Sequence, residues 1–238
     1  MARIEQASPV WIEDVLAGLR PSGPRLILNE GARARIAAAR NHPQGSQLWS
    51  FLVRRGEQHL AEPPGDARGG VTGSRVTLDR VYTLGLLAQV TGEARWAERA
   101  IAEAQTLAGG VAWAGPGEWL AWAERMHVVA LVLDWCAPWL ANRRPAVAQA
   151  LMREGLHAAD QAYACRLWWW RDVANWNAVC NGGVIIACLA LAEERPAQCR
   201  RLLGYALEGM PLHLARLAPD GGHEEGAGYW AYTWRFLS

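Results

Sequence analysis

The sequence predicts an all-α protein, and three observations carry that expectation. Alternating β-branched runs bounded by turn residues are scarce along its 238 residues. Apolar residues instead recur at helical spacing through most of the chain. Several of these helices are apolar on more than one side, so each needs cover on two faces, as layered helical hairpins or a toroid supply. No strict internal repeat is present, which argues against a solenoid of fixed period.

The elements follow in order. LNEGARARIAAARNH opens on Asn29, whose side chain suits an N-cap, and is rich in alanine. GSQLWSFLVRRGEQHLAE begins just after Pro43. The glycines and prolines of PPGDARGGVTGS predict a loop over residues 63–74. TLDRVYTLGLLAQVTG and EARWAERAIAEAQTLAGG read as two helices parted at Gly92. EWLAWAERMHVVALVLDWCAPWL is a long apolar helix ending near Pro138. RPAVAQALMREGLHAADQAYACR, NWNAVCNGGVIIACLALAEE and RPAQCRRLLGYALEGMPLHLAR complete the regular part. Pro145 and Pro196 each open a helix, where the missing proline N–H costs nothing. Seven or eight helices with short loops imply mostly antiparallel neighbours. After Pro219 the glycines from Gly221 to Gly228 break the pattern, and a helical pattern is still under way at Ser238. The expectation is of a longer protein, seen here in part.

Composition narrows the function classes. Hydrophobic residues at 51% support a sizeable core. A formal net charge of +1 advertises no attraction to nucleic acid. Every basic residue is arginine, which removes Schiff-base and P-loop lysine chemistry. Five cysteines without CxxC spacing read as reduced thiols rather than disulfides or a zinc site. No apolar run reaches the ~18 residues of a membrane span, and the acidic N-terminus is no signal peptide as written. The expectation is a cytoplasmic chain without cofactor, or a periplasmic or secreted one had its N-terminus been processed.

The chemistry concentrates in two stretches. In WWWRDVANWNAVCNGG, residues 168–183, four tryptophans and three asparagines surround an arginine. Trp168, Trp169, Trp170 and Trp176 cannot share one face, so some are core; a wet tryptophan offers an apolar plate suited to sugar rings. Asn175 or Asn177 suits an N-cap, while Asn177 and Asn181 share a helix face. Gly182 and Gly183, each costing about 1 kcal/mol in a helix, imply close approach by either a ligand or another helix. The Arg171 fork suits a carboxylate or phosphate, the plainer alternatives being a salt bridge to Asp172 or a solvated surface arginine. In the second stretch, PDGGHEEGAGYWAY, a turn precedes His223, Glu224, Glu225, Tyr229, Trp230 and Tyr232. The spacing of that histidine and the two glutamates matches no metal motif.

NWNAVCNGG followed by PDGGHEEGAGYW resembles the heparinase II/III-like polysaccharide lyases, among them alginate and oligoalginate lyases. WLAWAERMHVVALVLDWCAPWL is similar to that family's helix ending in Tyr/Phe-Asp-Trp-Leu, with Asp134 and Trp135 in place, and PRLILNEGARARI is similar to its opening. The resemblance runs from about residue 24 to the end. It implies an α/α toroid, an incomplete barrel of antiparallel helical hairpins, over residues 24–238 after an extension of 1–23. It also implies a β-sandwich that this sequence lacks.

The implied chemistry is β-elimination on a uronic-acid glycan. A base removes the C5 proton, a donor neutralises the carboxylate, and an acid serves the departing O4. The resemblance puts Asn177 first as the amide, with Asn175 and Asn181 close behind. It makes Tyr229 the acid/base with Tyr232 as fallback, and Trp168, Trp176 and Trp230 the sugar plates. Arg171 would hold the carboxylate and Glu225 a hydroxyl or the loop, with His223 nearby. Relatives carry an Asn-His pair where Trp176 and Ala178 flank Asn177, which leaves the base unassigned. A non-catalytic carbohydrate-binding module, a toroid glycosidase using Asp172, Asp220, Glu224 or Glu225, and a purely structural helical scaffold, which the polar-aromatic mixture disfavours, are the competing classes.

Overall fold

A computed structural model describes residues 9–20, 23–66, 69–110, 112–217 and 220–237. Among these the chain is all-α, with no β-strand. The helices are α1 (Pro9–Ala17), α2 (Glu30–Ala39), α3 (Pro43–Ala61), α4 (Gly70–Thr91), α5 (Ala94–Gly110), α6 (Trp119–Trp135), α7 (Ala137–Leu140), α8 (Arg144–Ala150), α9 (His157–Ala164), α10 (Asn175–Ala190), α11 (Pro196–Leu214) and α12 (Ala227–Leu237). No helix of the described residues is long and apolar enough to cross a membrane.

The expected punctuation explains most boundaries. The Asn29 side chain accepts the Ala32 N–H at 2.8 Å and starts α2. Pro43 and Pro196 sit in the first turns of α3 and α11. Gly92 adopts φ +73°, a left-handed value that costs glycine little, and turns α4 back as α5.

Three boundaries differ from expectation. The predicted loop of 63–74 ends early, because α4 begins at Gly70. There the Ser74 and Thr77 hydroxyls bond the carbonyls of Gly70 and Gly73, giving the glycine-rich turn extra ties. The long helix through Trp135 stops at Cys136, and Pro138 belongs to the separate turn α7. Between α8 and α9 one π-helical stretch, Leu151–Leu156, joins what reads as a single helix.

The core forms around α6. It packs against α4 on one side and α10 on another, and Ala121–Trp135 are buried all round. That explains why its sequence shows no polar face. Its C-terminal end holds the segment before α2. Asp134 accepts the N–H groups of Arg25 and Leu26 at 2.8 and 2.9 Å, and the Trp135 indole donates to the Leu26 carbonyl at 2.9 Å.

In turn α10 contacts α6, α11 and α12. The glycine pair makes this possible. A Cβ on Gly183 would lie 2.9 Å from the Ala123 Cα of α6, and one on Gly182 would lie 2.5 Å from the Phe236 carbonyl oxygen of α12. Neighbouring backbones, not a ligand, therefore account for both glycines.

Candidate functional site: the N-terminal ends of α10 and α12

The tryptophan triplet forms a 3-10 turn, Trp168–Arg171, leading into α10. Trp169 is sealed and Trp170 nearly so, while Trp168 is 58% exposed. Trp168 packs against half-buried Trp176 with ring centroids 5.0 Å apart.

The three asparagines part company. Asn177 is fully buried and donates both amide hydrogens, to the carbonyls of Trp170 and Gly209, each at 3.0 Å. Its Oδ1 accepts from the Asn181 amide at 3.2 Å. Asn181 donates also to the Trp170 carbonyl at 3.2 Å and accepts the Tyr163 hydroxyl at 2.8 Å. Gly209 lets α11 come this close; a Cβ there would lie 2.2 Å from the Trp170 carbonyl oxygen. Both amides are thus clamps on the turn, and neither has a donor left for a ligand. The resemblance ranks Asn177 first for that role, but a carboxylate could reach it only by breaking these bonds.

Asn175 is different. Its side chain is 1% exposed, yet neither the amide nitrogen nor the oxygen has a partner. It opens α10, and no side chain caps that helix from Ala174. Instead the Glu225 carboxylate accepts the Asn175 backbone N–H at 3.1 Å, a negative charge placed at a helix N-terminus.

Two histidines adjoin this point. His223 accepts the Glu225 N–H on Nδ1 at 3.2 Å, so its proton sits on Nε2, which lies 3.5 Å from the Thr233 hydroxyl and 3.8 Å from Glu225. The ring of His213, from the last turn of α11, lies 5.3 Å from that of His223. Its Nδ1 donates to the Val173 carbonyl at 2.8 Å, which leaves Nε2 a bare lone pair, buried and without a partner. Sequence reasoning passes over His213, since nothing in its local spacing separates it from an ordinary last-turn histidine.

The aromatic residues of α12 divide the same way. Tyr229 is 50% exposed, as are in part Trp230 and Trp234, whose rings lie 5.9 Å apart. The Trp230 indole donates to the Gly221 carbonyl at 2.9 Å. Tyr232 turns inward, donating to fully buried Glu124 at 2.7 Å beneath the Arg75 guanidinium, which lies 4.3 Å above its ring. Burial pushes the Tyr232 hydroxyl well above the usual phenol range, with Glu124 adding to the shift, so it holds its proton and suits packing rather than proton transfer. Burial also raises the Glu124 carboxyl.

Arg171 points to α11, where it meets Glu208 at 3.4 Å, rather than to the asparagines or Asp172. Asp172 caps Val173, Asp220 caps Gly222 and Glu224 pairs with Arg216. No group of three or more histidine, cysteine or acidic side chains is placed to hold a metal ion among the described residues. No protein-family model matches the sequence, and no curated protein matches it.

Proposed function

We propose that this chain is the helical part of a polysaccharide lyase that cleaves uronic-acid-containing glycans by β-elimination, its helices forming an incomplete α/α toroid. One observation carries the reading: the buried, unpartnered Asn175 amide opens α10 where Glu225 caps the helix and lies 3.8 Å from His223, whose ring is 5.3 Å from that of His213. An unpaired buried amide costs about 1–3 kcal/mol, which a ligand that pairs with it would recover.

In this reading Asn175 takes the role that the resemblance offers first to Asn177. Its amide donates to the substrate carboxylate and stabilises the charge that grows as C5 loses its proton. The His213 Nε2, its tautomer set by the Val173 carbonyl, accepts that proton. The C5–H pair becomes the C4–C5 double bond, the C4–O4 bond breaks, and Tyr229 protonates the departing oxygen. Trp168, Trp176 and Trp230 supply plates for flanking sugars. The Asn175 amide and the His213 Nε2 are both buried, and the His223 ring lies 5.3 Å from that of His213, so this reading requires the site to open before substrate reaches them.

The test is the ultraviolet absorbance of an unsaturated uronate during incubation with alginate, heparan sulfate and other uronic polymers. Expected is a rise that Asn175→Ala, His213→Gln and Tyr229→Phe each cut at least a hundredfold, with melting temperature held in Asn175→Ala and Tyr229→Phe. No rise with any acidic glycan sinks the lyase reading. The exposed rings of Trp168, Tyr229 and Trp230 favour a second reading, a carbohydrate-binding module without turnover. Tight glycan binding without product, unchanged by Tyr229→Phe, selects it.

A further inference from the structure

A concavity borders the tryptophan turn. It is a surface cleft of about 380 Å³ lined by Arg166, Leu167, Trp168, Trp170, Arg171, Tyr205 and Glu208. That is within the ~300–1,000 Å³ range of small-ligand sites. Arg166 and Trp168 are exposed, and no hydrogen bond or ion pair of the Arg166 guanidinium is present among the described residues. Arg166 is held at φ +50°, a left-handed value that an arginine rarely adopts. Arg171 meets Glu208 at 3.4 Å and lies over the Trp170 ring, 5.9 Å from its centroid, which leaves most of its five donors open.

We propose that this cleft is an anionic-sugar subsite that holds a further uronate residue of the same glycan, away from the bond that is broken. The proposal rests on the functional reading above for its ligand class. The parts suit that class. Two guanidinium forks match a carboxylate, and the indole of Trp168 offers an apolar plate to a ring face. Glu208 accepts hydroxyl hydrogens, and its charge opposes a dianionic phosphate more than a monoanionic uronate. A chain with net charge +1 has little attraction for a polyphosphate backbone.

Position links the cleft to the candidate centre. Trp168 borders the cleft and touches Trp176, the residue after Asn175. A glycan lying over both rings would run from Tyr205 and Glu208 toward the start of α10. Binding should then strengthen with chain length, since a longer ligand engages both places.

Calorimetric titration of the whole chain with di-, tetra- and hexa-uronates tests this. Expected is at least tenfold tighter binding of the hexamer than of the dimer. Arg166→Gln/Arg171→Gln and, separately, Trp168→Ala should bring that ratio close to one, with melting temperature unchanged. A ratio that survives both variants overturns the subsite. Inorganic phosphate or a nucleoside diphosphate that displaces the hexamer at lower concentration than a free uronate overturns the ligand class. Length-dependent binding without any unsaturated product keeps the subsite and rejects the lyase reading, so the two failures are distinguishable.

Discussion

Asn175 and Asn177 stand two positions apart in one helix, and the structure assigns them opposite consequences on truncation. Asn177→Ala removes two hydrogen bonds of 3.0 Å to main-chain carbonyls and the acceptor for Asn181. Trp170 keeps the Asn181 amide, but Gly209 loses its side-chain donor and Asn181 loses one acceptor, all in a dry interior. Net hydrogen bonds contribute about 0.5–1.5 kcal/mol each, and orphaned buried partners cost about 1–3 kcal/mol, so the loss should be roughly 2–4 kcal/mol. For a domain of this size that lowers the melting temperature by roughly 5–15 °C. Asn175→Ala removes an amide that has no partner, so stability should stay level or rise by about 1 kcal/mol. Calorimetric melting of both variants against the parent, paired with the absorbance assay, reads the contrast. Equal losses of stability, or a larger loss for Asn175→Ala, would refute the division of the asparagines into clamp and site.

Gly182→Ala places a Cβ 2.5 Å from the Phe236 carbonyl oxygen, so α12 must shift at a cost of about 1–3 kcal/mol; faster proteolysis of α12 with intact helical dichroism is the expected result. Burial pushes the His127 imidazole, hydrogen-bonded to Tyr82 at 2.8 Å, down to about 3 from 6.5. Its folded value lies below its unfolded one, so its contribution is complete above pH 6.5 and is lost as pH falls toward 3, by roughly 2 kcal/mol at pH 5. Urea melts should show that fall, and His127→Gln should flatten it. Of the five cysteines only Cys165 is exposed, and burial raises the thiols of Cys180 and Cys188 well above the usual range and that of Cys136 to about 12. One thiol should therefore react quickly with a disulfide reagent in the native protein and all five after unfolding.

Helix positions were legible because local chemistry sets them. Asn29, Pro43, Gly92 and Pro196 each mark a boundary through their own backbone or side-chain needs. The two-sided apolarity of α6 likewise announced a helix covered on opposite faces. The asparagines show where such reading stops. Their identity marked the stretch as unusual, but which amide is spent depends on the Trp170 carbonyl and on how closely Gly209 of α11 approaches. Neither is local. The glycine pair was open between ligand and helix crossing, and only the positions of Ala123 and Phe236 decide it. His213 carries no local mark, because its role comes from the Val173 carbonyl and the facing ring of His223, forty and ten residues away in the chain.

The turn that displays Trp168 is fastened through a main-chain oxygen, gripped by two amides, rather than through the indole itself. Its foundation is indifferent to which ring projects into solvent. Tyrosine, histidine or a smaller residue can replace that plate without unsettling the helices below. The side chain shown at this position can therefore drift, or be engineered, while the scaffold stays the same.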